Sequence, residues 1–142
     1  MSLDMLGQLN WLAVIVGAVI YFVLGALWYA PPVLGRAWQR SIGWDPSANP
    51  PQMSIAAYAV PAIAYLVMAV ATAMLAAATG SDSLESGLML GLVVGIGYAL
   101  ARTAVDATFT PNLPQPSVWF AITGLYHLLG LIIVAVVVSV WV

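Results

Sequence analysis

Few side chains in this 142-residue sequence can do chemistry. It has one histidine (His127), three cationic residues (Arg36, Arg40 and Arg102), five acidic residues and no cysteine. His127 lies roughly ten residues into an apolar run, so at ~1.5 Å per residue it sits ~15 Å deep, near the middle of a ~30 Å hydrocarbon layer. Tyr21, Tyr65 and Gly95 count to a similar depth, and Tyr98 lies a turn lower. A buried imidazole needs a partner for its donor nitrogen, and the hydroxyls of Tyr21, Tyr65 and Tyr98 are the candidates. Gly95, with no side chain at this depth, is expected to leave room for the ring. Two roles remain open for this polar core: a proton relay or substrate path, or a hydrogen-bonded histidine that fixes helix packing.

Arg102 and Asp106 form the second candidate. They are four apart on one helical face and can pair. They count to the cytoplasmic boundary, on the order of 10 Å from His127, too far for a direct hydrogen bond. Facing inward, the pair would gate a vestibule; facing outward, Arg102 would snorkel to the headgroups with Asp106 in water. The remaining chemistry is thin. One histidine without cysteine or a carboxylate at its depth makes no metal site. With Asp106 and His127 in different layers there is no Ser/His/Asp triad. Paired carboxylates, a phosphate loop and a c-type haem site are absent. No enzyme activity and no cofactor are expected.

The elements that must hold these residues follow from composition. The chain is 63% hydrophobic and 6% charged, against about 25% charged for a soluble domain. It therefore reads as an integral membrane protein. A net charge of -2 excludes nucleic-acid binding. The pattern predicts an all-α, polytopic fold: a single domain over residues 1–142 of four transmembrane helices in a bundle, roughly 9–29, 54–78, 84–109 and 117–142. The first is read as a retained helix, because the start has neither a basic region nor a cleavage site. A short amphipathic helix, roughly 33–42, is expected in the interface after helix one, with Val33, Leu34, Ala37, Trp38 and Ile42 on its apolar side. Pro31–Pro32, Asn49–Pro50–Pro51 and residues 110–116 punctuate the chain. Asp82 with Glu85 reads as a capping box opening helix three.

Helix three looks like the organising element. Gly87, Gly91 and Gly95 make a small-residue ladder suited to close helix packing, within the chain or between copies. Continued at α-helical spacing, the same face carries Tyr98, Arg102 and Asp106. Leu88, Leu92, Val93, Ile96 and Leu100 form the opposite, lipid-facing side. The second half of helix four reads as featureless and is expected to face lipid or a partner. The three arginines fall at one end of the bundle and Asp4, Asp82 and Glu85 at the other. The positive-inside rule then places both termini outside and the connections 30–53 and 110–116 in the cytoplasm.

Several segments together resemble an uncharacterised family of small bacterial four-helix membrane proteins, a domain of unknown function. They are Asn10–Trp11–Leu12–Ala13–Val14, then Gly25–Ala26–Leu27–Trp28–Tyr29 with Pro31, Gly35 with Trp38, the glycine-rich third helix, and Gly124–Leu125–Tyr126–His127. A tryptophan near the C-terminus matches too. The resemblance covers nearly the whole chain. It implies the four-helix architecture and a bacterial inner membrane, and supplies no activity. Family members carry more charge in the connections after helix one and before helix four, which here are near-neutral and proline-rich. Two functional readings stand. In the first, the chain is a non-enzymatic accessory or assembly subunit with a membrane-protein partner. In the second, it is a small homo-oligomeric transporter or channel whose polar path contains His127 and the tyrosines.

Overall fold

The computed structural model describes residues 3–47 and 53–141; the Asn49–Pro50–Pro51 turn lies outside them. Every long element follows an apolar run bounded by a breaker. Helix α1 spans Trp11–Trp28, opened by Asn10, whose side chain accepts the Ala13 amide at 3.1 Å. The prolines after it do not stop the chain from coiling. Pro31–Gly35 forms a π-helical turn that runs into α2, Arg36–Ser41. Gly35 is required there, since a Cβ would collide with the Tyr29 and Ala30 carbonyls. α3 spans Ala56–Thr79, contains Pro61 and ends on Gly80 in the left-handed region, φ 67°.

The third spanning helix runs from Leu84 to Phe109 in three parts: α4, Leu84–Val94; a π-helical segment, Gly95–Leu100; and α5, Ala101–Phe109. Its capping box lies one residue beyond the expected Asp82 and Glu85. The Ser83 hydroxyl accepts the Ser86 amide and the Ser86 hydroxyl accepts the Ser83 amide, at 3.3 and 3.0 Å. α6 spans Pro116–Val140. Among the described residues α1, α3, Leu84–Phe109 and α6 are long and apolar enough to cross a membrane. The chain is an all-helical, multi-pass membrane protein.

The bundle is built around α6, and this corrects the expectation that its second half faces outward. α6 packs against each of the other α-helices, and Leu131, Val134, Ala135, Val138 and Ser139 are buried. Its apolar run looked featureless because neighbours cover it on several sides, so no polar face interrupts it. The glycine ladder of α4 is what admits it so closely. A Cβ on Gly91 would lie 2.6 Å from the Ile132 Cα, and one on Gly87 3.0 Å from the Val136 Cα. On the other flank Ala13, Val14 and Ala18 of α1 and Ala69, Ala73 and Ala76 of α3 are buried.

The two ends of the bundle differ. The start of α1 and the end of α6 meet where the Asn10 amide donates to the Trp141 carbonyl at 2.9 Å. The turn between α3 and α4 lies at the same end and lines a shared groove with them. At the opposite end α2 docks on the start of α6: the Gln115 amide donates to the Ser41 carbonyl at 3.2 Å, and Tyr29 meets Trp38 edge to face.

Candidate functional site

At mid-depth α1, α3 and α6 converge on a cluster of aromatic rings with one imidazole. The Tyr21 hydroxyl lies 2.6 Å from Nδ1 of His127 and 3.5 Å from the His127 carbonyl. Tyr65 stacks on Tyr21, with centroids 4.2 Å apart and planes within 16°. The Tyr126 hydroxyl donates to the Tyr21 carbonyl at 3.1 Å. Tyr21 and Tyr126 are 0% and 1% exposed, while His127 and Tyr65 are half-buried. Among the described residues no hydrogen bond reaches Nε2 of His127.

Glycines make this geometry possible, though at other positions than expected. Gly95 faces Leu128 and gives no room to His127. The ring that needs space is Tyr21, and Gly130 supplies it: a Cβ there would overlap Tyr21 at Cε2 and Cδ2. Gly25 does the same for Tyr126, whose hydroxyl would be 2.7 Å from a Cβ. The order Gly25 on α1, Tyr126 and Gly130 on α6, Tyr21 on α1 is a reciprocal fit of ring into gap.

From Tyr126 the rings continue toward the end that carries α2. Tyr29 lies 5.3 Å from Tyr126, and Trp38 5.3 Å from Tyr29. Trp28 donates its indole N–H to the Ile122 carbonyl at 3.0 Å. Tyr126, Tyr29 and Trp38 were not among the candidate site residues. Tyr126 and His127 are sequence neighbours, about 100° apart on a helix. Both can point into protein only because α6 is enclosed. The signal available was the close Tyr126–His127 pair itself.

Tyr98 does not join the cluster. It is 73% exposed. The cause is the π-helical segment from Gly95 to Leu100, whose extra residue shifts the face of everything after it. Past that point the buried residue is Thr103 rather than Arg102, and Leu100, expected to face lipid, turns in against Gly124. Arg102 and Asp106 do pair: Nη2 to Oδ1 is 2.7 Å and Nε to Oδ2 is 3.1 Å. Their side chains are 73% and 37% exposed on the outer surface of the bundle. The pair therefore stands on the periphery, apart from the His127 cluster, in the outward-facing one of the two arrangements considered. Gly87, Gly91 and Gly95 face α6 of the same chain.

Two recesses flank these groups. One, at the Asn10–Trp141 end, is about 320 Å³, floored by Ala73, Ala76 and Ala77 and rimmed by Asn10, Ser81 and Asp82. The other, between α3 and the Leu84–Phe109 helix, is about 470 Å³ and mostly apolar, with Thr72, Tyr98 and Arg102 also in its lining. Among the described residues no three His, Cys, Asp or Glu side chains gather as metal ligands would.

The family profile described as "Protein of unknown function (DUF1761)" matches residues 12–139. No curated protein and no solved structure matches.

Proposed function

The chain belongs to this DUF1761 family, and since the family's description assigns no activity, we propose from the geometry that it is a non-enzymatic accessory or assembly subunit of a membrane complex. The observation that supports this is the way the mid-depth polar groups satisfy one another. Tyr21 bonds to His127, Tyr126 bonds to the Tyr21 carbonyl, and both tyrosines are fully buried. A conducting path needs polar groups turned to a continuous aqueous lumen. Here stacked rings fill the place where such a lumen would run. The partner would be another membrane protein, met through the wide apolar exterior. The setting in this reading is a bacterial inner membrane, with the Asn10–Trp141 end outside and the end carrying Arg36 and Arg40 in the cytoplasm.

One observation favours the second reading, a homo-oligomeric transporter or channel. Among the described residues Nε2 of His127 has no partner, and His127 is only half-buried, so a neighbouring copy could complete a polar path there. Proteoliposomes separate the two. The subunit reading expects proton and monovalent-cation leak no greater than in protein-free vesicles. A leak that disappears in His127→Gln would sink it in favour of the channel.

A further inference from the structure

The recess at the Asn10–Trp141 end is bounded by the start of α1, the last turns of α3 with the turn that follows, and the end of α6. It exists because α3 ends in alanines. Ala73, Ala76 and Ala77 present methyl groups where larger side chains would have closed the space. At about 320 Å³ it stands at the small end of the ~300–1,000 Å³ range of ligand sites. About ten water-sized volumes of ~30 Å³ fill it, so it suits a ligand of roughly ten non-hydrogen atoms. None of its lining residues belongs to the His127 cluster.

The polar groups around it fall into two sets. One set builds the frame and is already bonded. The Asn10 side chain accepts the Ala13 amide and donates to the Trp141 carbonyl, fixing α1 to α6. The Ser81 amide donates to the Ala76 carbonyl at 2.9 Å, and the Ser81 hydroxyl lies 2.9 Å from that of Thr79, fixing the turn. Among the described residues, the other set makes no side-chain hydrogen bond or ion pair: the Gln8 amide, the Asp82 carboxylate and the Trp141 indole N–H. The recess is thus rigidly framed and lined by groups left free to bond.

Charge selects the ligand. Asp82 is the charged side chain in the lining, and Asp4, before α1, and Glu85, in the first turn of α4, stand at the same end of the bundle. The chain's cationic side chains are Arg36, Arg40 and Arg102, and all lie toward the opposite end. A cation is therefore drawn in and an anion repelled, and an indole face adds to the preference for a cation. A bare metal ion does not suit the site, because a single carboxylate cannot replace its shell of oxygens. The alanine floor calls for an apolar body behind the charge.

We propose that this recess binds a small organic ammonium ion, a primary amine on a short apolar body, with the ammonium on Asp82 and the body against Ala73, Ala76 and Ala77. The Gln8 amide oxygen accepts a second N–H of the ammonium.

The test uses the whole chain in nanodiscs, with phenethylamine as the probe. Binding is followed by titration calorimetry at neutral pH, where the amine is charged, against protein-free nanodiscs of the same lipid. Saturable binding above that baseline is expected. Phenethyl alcohol, which has the same body without the charge, and phenylpropionate, which has the opposite charge, should bind roughly tenfold or more weakly, the loss of one charge-assisted contact. Asp82→Asn should weaken phenethylamine by the same factor. Ala77→Phe puts a ring into the recess from an exposed position; folded by circular dichroism, it should not bind the amine. An absence of saturable binding would overturn the proposal. So would equal binding of the alcohol, or undiminished binding in Asp82→Asn or Ala77→Phe.

Discussion

The Tyr21 hydroxyl and Nδ1 of His127 lie 2.6 Å apart, joining α1 to α6 across 106 residues of sequence. It is one of several polar links that register the two helices, with the Tyr126 hydroxyl on the Tyr21 carbonyl and the Trp28 indole on the Ile122 carbonyl. Tyr21→Phe keeps the ring and its stacking on Tyr65 and removes only the hydroxyl. The expected loss is about 0.6–1.7 kcal/mol, the measured scale for interhelical hydrogen bonds in membranes. Unfolding in mixed micelles would read it. A double-mutant cycle with His127→Leu should return a coupling energy of the same size; zero coupling would mean the contact is incidental.

Gly130 should be among the least tolerant glycines in the chain. Its missing Cβ is where the Tyr21 ring sits, and Tyr21 is held by Tyr65, Tyr126 and His127 together. Gly130→Ala should cost about 3 kcal/mol or prevent folding, the upper range for overpacking. Gly97, with nothing within 4 Å of its would-be Cβ, is the matched control. Gly97→Ala should be neutral or slightly stabilising. Thermal unfolding of the pair in one detergent compares them directly, and equal losses would contradict the ring-in-gap fit.

Ser139 is fully buried and its hydroxyl has no hydrogen-bond partner among the described residues. Its Cβ would be 3.0 Å from a Cβ on Gly87, at the tight contact of α4 with α6. Ser139→Ala keeps that shape and removes an unsatisfied donor. Stability should rise by about 1 kcal/mol, the cost of leaving such a group unmade. A loss of that size would show that the hydroxyl has a partner in the membrane.

The π-helical segment predicts which side of the lower third helix faces the bundle. The chain has no cysteine, so single-cysteine spin labels can be placed cleanly. A label at Thr103→Cys should be immobile and shielded from oxygen, and one at Tyr98→Cys mobile and oxygen-accessible. The reverse pattern would mean that the helix is α-helical throughout.

That segment also marks where legibility in the sequence ended. The four spans were readable because long hydropathy runs are separated by Pro31–Pro32, Asn49–Pro50–Pro51 and the proline-rich residues 110–116. The glycine face of α4 was readable from its spacing of four. Past Gly95 the α-helical continuation to Tyr98 and Arg102 misled, since a π-helical turn leaves no periodic mark; the inner face keeps the step of four through Ala99 and Thr103, and Tyr98, Arg102 and Leu100 were assigned to the wrong sides. The centrality of α6 was hidden for a related reason: a helix covered on several sides has no polar face to betray its orientation. Tyr21 and Tyr65 were legible by depth. Tyr126 was not singled out, because counting depth from a helix end does not say how many of its sides are covered.

On the subunit reading, this chain works within a larger membrane complex and its polar core is given over to packing. The most direct measurement is the mass and composition of the native particle after gentle solubilisation from the membrane. That particle should contain a stoichiometric foreign membrane protein, and its assembly should survive His127→Gln. A pure homo-oligomer, with His127 in contact with water between copies, would contradict it.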